Sequence, residues 1–178
     1  MSSSGVAAVV VVVVVLALVS ACVSADCFSY SAEKLNEGVR YKVYYDTMGH
    51  PTIGVGLNLD ASASAGIVSS CTPYTVKQLI AGQTVTDSQV QCMFNKSIGP
   101  AQSCANSIVG GGSSSGAWGA VADMAFNMGC GGVQAFHNMI AAIKARNWNQ
   151  AAAEMQNSKW CGQVHSRCDR DMACMRRG

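Results

Sequence analysis

The chain has 178 residues, enough for one domain or for two small lobes that share a helix. Lys plus Arg number 12 against 10 Asp plus Glu, so there is no basic footprint for nucleic acid; Arg176 and Arg177 alone are too few to make one. The mild positive balance at most favours approach to an anionic polymer.

Residues 6–19 form an unbroken apolar run, followed by small residues ending Val23-Ser24-Ala25. The run has the length of a secretory signal core and is short for a membrane span, so residues 1–25 are expected to be a signal peptide and 26–178 a single domain. The leader MSSSG lacks Lys and Arg, which leaves two alternatives: an uncleaved tether, or a lipoprotein signal at Val19-Ser20-Ala21-Cys22. Cysteine arithmetic favours cleavage. Losing Cys22 leaves eight: Cys27, Cys71, Cys92, Cys104, Cys130, Cys161, Cys168 and Cys174. Eight is the even number that four bridges in an oxidising compartment require, and their pairing is not legible from sequence. No CxxC pair occurs and His50, His137 and His165 are scattered, so neither metal nor cofactor is expected.

In chain order, residues 26–37 read as a short helix stopped by Gly38. Residues 41–45 alternate as a strand, Met48-Gly49-His50-Pro51 supplies a turn, and residues 52–55 fit a second strand. Residues 58–71 read as a loop with one helical turn, and residues 75–81 as a short helix. Thr86 with Gln89 forms a capping-box start for a helix through Val90, Met93, Phe94 and Ile98 that continues to residue 109 with a break near Pro100. The Gly/Ser stretch 110–116 is expected to be a loop between lobes. Beyond it, helices are expected over 118–128 (closed by Gly129), 133–146, 148–158 and through Cys168 and Met172. The fold class is α+β, a helix and hairpin followed by a helical lobe.

Of the glutamates Glu33, Glu37 and Glu154, only Glu37 stands where a helix hands over to a hairpin. A carboxyl at a helix C-terminus lies beside the negative end of the dipole, which favours the protonated form that a general acid needs. Asp46 in the hairpin would stay ionised and hold a water whose other side the Thr52 hydroxyl would fix. Two carboxyls spaced to admit that water would invert the anomeric carbon. On spacing alone, the residues fit equally a turn aspartate, a strand threonine and a solvated helix glutamate.

The stretch 37–56 resembles the phage-type lysozymes, endolysin glycosidases that cut peptidoglycan. Their pattern E-G-x-R-x-x-x-Y-x-D-x-x-G-x-x-T-I-G-x-G is met in register by Glu37, Gly38, Arg40, Tyr44, Asp46, Gly49, Thr52, Ile53, Gly54 and Gly56. Residues 125–129 look like that family's central-helix ending; Trp148, Trp160 and, seven residues on, Arg167 match its late helices. The resemblance implies a lysozyme-like fold with a cleft between a small sheet-bearing lobe and a helical lobe. It implies Glu37 as general acid, Asp46 and Thr52 as water-positioning residues, Arg167 as the partner that orients Glu37, and Asn127 and Phe126 as glycan contacts. The substrate would be bacterial peptidoglycan, cut by a monomer with an antibacterial or digestive role. A chitinase-like glycosidase and a non-catalytic peptidoglycan binder are the alternatives. Two departures stand out. Leu57 replaces a histidine usual in the family, removing any ion pair made there. The eight cysteines point to a secreted, eukaryotic-type member.

Overall fold

A computed structural model describes residues 27–111 and 115–178; the expected signal peptide lies outside them. The chain builds two hydrophobic cores that share Phe28 and Phe126. In the first, Ser29 caps helix α1 (Tyr30–Glu37) by accepting from the Ala32 amide, and Gly38, at φ 71°, ends it. Gly38 turns the chain into a three-stranded antiparallel sheet ordered β1 (Arg40–Tyr45), β2 (Pro51–Gly54), β3 (Leu57–Asn58). Tyr44 faces Thr52, which in turn faces Asn58, so β2 is central, and a bulge lies between Arg40 and Tyr44 on β1. The short β3 was not expected. It follows from the tight turn at Gly56, whose φ of 80° suits a residue without Cβ.

Helices α2 (Ser64–Cys71), α3 (Val76–Ile80) and α4 (Asp87–Ser97) cover this sheet. The stretch read as a loop with one helical turn thus holds two turns, packed through buried Val68. Capping boxes start α3 at Thr75 with Gln78 and α4 at Thr86 with Gln89. Ile53, Val68, Leu79, Val90, Met93 and Phe94 are buried in this core. Gly54 permits the closest approach: a Cβ there, at φ 69°, would lie 3.0 Å from Val90 Cγ1.

Pro100 opens α5 (Gly99–Val109), where the chain enters the second core. Residues 110–116 then join α5 to α6 (Gly116–Gln134), and both helices bury side chains in that same core. Gly129 (φ 76°, ψ 158°) interrupts α6 where a helix end was expected. The helix expected over 133–146 is divided at Phe136 into the end of α6 and α7 (His137–Lys144). Asn147 caps α8 (Trp148–Gln156) by accepting from the Gln150 amide. The last helical pattern is likewise two helices, α9 (Lys159–Val164) and α10 (Ser166–Met175), hinged at His165 with φ 45°. A positive φ in a non-glycine costs about 1–3 kcal/mol and persists only where surroundings over-determine it. Here the Cys161–Cys168 bridge spans the hinge.

All eight cysteines among the described residues pair: Cys27–Cys174, Cys71–Cys92, Cys104–Cys130 and Cys161–Cys168. Phe28 and Phe126 pack against both cores and meet Phe94 with ring centroids 6.0 and 5.6 Å away, so an aromatic cluster joins the lobes. Among the described residues no helix is long and apolar enough to cross a membrane.

Candidate active site

Helix α1 delivers Glu37 as its final residue, with its side chain one-third exposed. From α10, Arg167 Nη1 donates to Glu37 Oε1 at 2.5 Å. These residues are 130 positions apart, and only the packing of α10 beside α6 and α1 brings them together.

The sheet delivers the other pair. Asp46 follows β1, and its Oδ1 accepts from the Met48 and His50 amides, both at 2.9 Å. The bond from the His50 amide is the main reason the Asp46 carboxyl is held below the ordinary aspartate range; the Met48 bond and the His50 ring add to it. Thr52, on the central strand and only 4% exposed, donates from Oγ1 to the His50 carbonyl at 3.1 Å. The backbone of His50 therefore ties Asp46 and Thr52 together, a linkage that the turn reading of residues 48–51 did not contain. The His50 ring meets Asp60 at 2.9 Å. Leu57, where the family's histidine was expected, is half-buried and packs against the first core. Tyr44 links the two halves of the site, since the charges of both Glu37 and Asp46 act on its hydroxyl. Burial raises the Tyr44 pKa first and those two charges raise it further, so it is neutral in neutral solution.

Phe126 lines a cavity of about 210 Å³ at the junction of the lobes, with Val55, Leu57, Asn58, Ser97 and Pro100 on its other walls. Asn127, one residue on, is exposed, and its Oδ1 accepts from the Trp160 indole at 2.9 Å. It lies two residues before the break at Gly129, and that bond secures α6 to α9.

Sequence reading missed what lies beneath Glu37. Glu33, Asp123 and Asp171 are 0%, 1% and 3% exposed, and all surround Arg167. Arg167 donates Nε to Asp123 Oδ2 at 2.8 Å and Nη2 to Asp123 Oδ1 at 3.0 Å, a bidentate fork, and Nη2 also reaches Glu33 Oε2 at 2.8 Å. Burial, then the hydrogen bond and charge of Asp123, push Glu33 up to about 9. Two signals were present: Glu33 stands one turn before Glu37 on the same helix face, and Asp123 is a lone acid within an apolar helix.

The family model described as phage lysozyme matches residues 34–168. The pre-baseplate central spike protein Gp5 of Enterobacteria phage T4 is 30% identical over 76% of this chain, which spans only 25% of that protein's length. Probable T4-type lysozyme 2 of Dictyostelium discoideum is 28% identical, covering 82% of this chain and 91% of the relative. Probable T4-type lysozyme 1 of the same organism is also 28% identical over the same shares.

Proposed function

The chain belongs to the phage lysozyme family, and from that premise we infer which side chains carry its reaction. It is a glycoside hydrolase, a muramidase that cleaves the β-1,4 bond between N-acetylmuramic acid and N-acetylglucosamine of bacterial peptidoglycan. In our reading Glu37 protonates the glycosidic oxygen as the bond to the anomeric carbon breaks. Asp46, kept ionised by backbone amides, accepts a proton from the attacking water, while Thr52 fixes that water's position. Attack from the face opposite the leaving group inverts the anomeric carbon. Arg167 orients Glu37, Phe126 offers an apolar wall to the sugar rings, and the exposed Asn127 next to it in the chain contacts the glycan.

The observation that carries this reading is the pairing of Arg167 with Glu37 at 2.5 Å, beside an Asp46 and Thr52 joined through one residue's backbone. Four disulfides in one chain fit an oxidising compartment, so the reading includes secretion, with a defensive or digestive role. The test is cell-wall clearing by the protein beside Glu37→Gln, with mass analysis of released sugars. Muropeptides with reducing muramic acid ends, lost in the variant, are the expected result. Equal clearing by both proteins would remove Glu37 as the acid. Wall binding without products from a folded wild type would instead identify a non-catalytic binder, and cleavage of chitin in preference to walls a chitinase.

A further inference from the structure

We propose that Asp123 is a positioning residue that cancels the charge of Arg167, so that the guanidinium can aim Glu37 by hydrogen bonding without drawing off the proton Glu37 must deliver. The inference rests on the reading of Glu37 as general acid. It resolves a conflict within that reading: a bare cation in contact with a carboxyl favours the ionised form, the wrong form for an acid.

The geometry separates aiming from charge. Asp123 takes the two parallel donors of the fork, Nε and Nη2, which is the strongest arrangement a guanidinium can make with a carboxylate. That leaves Nη1 for Glu37, held at the angle the fork sets. Four carboxyls converge on this one cation: Glu33 and Glu37 from α1, Asp123 from α6 and Asp171 from α10. Asn36 of α1 donates to both Glu33 and Asp123, and from β1 Tyr44 faces Glu37 with Arg40 lying over its ring.

A buried site does not tolerate four anions against one cation. Burial raises Asp171, and among the described residues its buried Oδ2 has no hydrogen-bond partner, the situation of a neutral acid. Glu33, as above, keeps its proton through neutral pH. Asp123 goes the other way: burial opposes its charge, but hydrogen bonds from Glu33, Arg167 and Asp171 outweigh that and lower it. The interior is thus one anion and one cation, and Glu37 meets a neutral pair. Glu33 and Asp171 serve as proton-bearing donors that keep the single negative charge on Asp123.

The test is the pH profile of kcat and KM on soluble peptidoglycan fragments for wild type, the triple variant Glu33→Gln/Asp123→Asn/Asp171→Asn, in which no buried acid can replace the lost charge, and the double variant Arg167→Gln/Asp123→Asn. Removing the counter-charge where Glu33 and Asp171 cannot ionise in its place exposes Glu37 to the full cation. The alkaline limb of kcat should then move toward acid by about 1–3 pH units, the range for an opposite charge at this distance. Each unit is about a tenfold loss above both limbs, with KM little changed and activity recovering as pH falls. A purely structural role would lower kcat by one factor at every pH, and coincident limbs overturn the proposal. In the double variant both charges are gone, so its limb should return to the wild-type position even where its kcat is lower. If the triple variant does not fold, that limb decides alone: a displaced limb overturns the proposal. Glu37→Gln runs beside them, since full activity there overturns the reading of Glu37 itself rather than the role of Asp123.

Discussion

The Cys27–Cys174 bridge should contribute more to stability than any other among the described residues. It closes a loop of 147 residues, against 26 for Cys104–Cys130, 21 for Cys71–Cys92 and 7 for Cys161–Cys168. On the chain-entropy relation, a loop of that length restricts the unfolded chain by about 5 kcal/mol, and the others by about 3.5, 3.3 and 2.4 kcal/mol in the same order. For a domain of this size each kcal/mol is about 2–4 °C in Tm, so Cys27→Ala/Cys174→Ala should melt about 10–20 °C below wild type. The four paired Cys→Ala variants would be unfolded in guanidinium chloride, followed by circular dichroism and extrapolated linearly to water. The reasoning also predicts what should not change. An effect on the unfolded chain leaves native geometry alone, so well below its Tm the Cys27–Cys174 variant should retain wild-type kcat. This matters because the bridge ties the segment leading into α1, which carries Glu37, to α10, which carries Arg167. Two outcomes would refute the argument. One is a seven-residue bridge that costs as much as the long one; the other is a collapse of kcat in a variant that is still folded, showing that the bridge acts on the site itself.

Two further outcomes follow from local geometry. Gly54→Ala places a Cβ at φ 69° and 3.0 Å from Val90 Cγ1; the conformation alone costs about 1–2 kcal/mol, so thermal melting should show a loss at least that large, and an unchanged Tm would contradict it. His50→Ala removes the ring that Asp60 holds at 2.9 Å, a bond that raises the His50 pKa, with the charge of Asp46 adding to the rise. A raised folded value means that this stabilisation is complete below the unfolded histidine's pKa, about 6.5, and is lost as pH rises through the folded value. The stability difference between wild type and variant should therefore be largest near pH 5 and vanish in alkaline solution. A difference that grew with pH would refute the pairing. Both partners are half-exposed, so the effect should be small.

Much of the site was legible in the chain because its parts are local. Glu37, Asp46 and Thr52 lie within sixteen consecutive residues, and the elements that carry them are governed by short-range rules: a glycine stop at Gly38, alternation over β1, turn chemistry before Pro51. The capping box at Thr86 and the break before Pro100 are equally local, as each concerns backbone groups within three or four positions; the box at Thr75 follows the same rule and was not read. That eight cysteines follow residue 25 was visible too, but not their pairing, because loop closure depends on where the helices dock.

What only tertiary structure decided is whatever the long-range packing brings together. The divisions at Phe136 and His165 interrupt patterns that read as continuous helix, since apolar spacing persists across them while the second core demands a change of direction. The surroundings of Arg167 belong to the same class. In the sequence Glu33 is an ordinary helix acid and Asp171 one charge among several; they become a shared-proton site only when α1, α6 and α10 exclude water around one guanidinium. Charge type is written in the chain, but protonation depends on burial and neighbours, and those exist only once the helices have closed together.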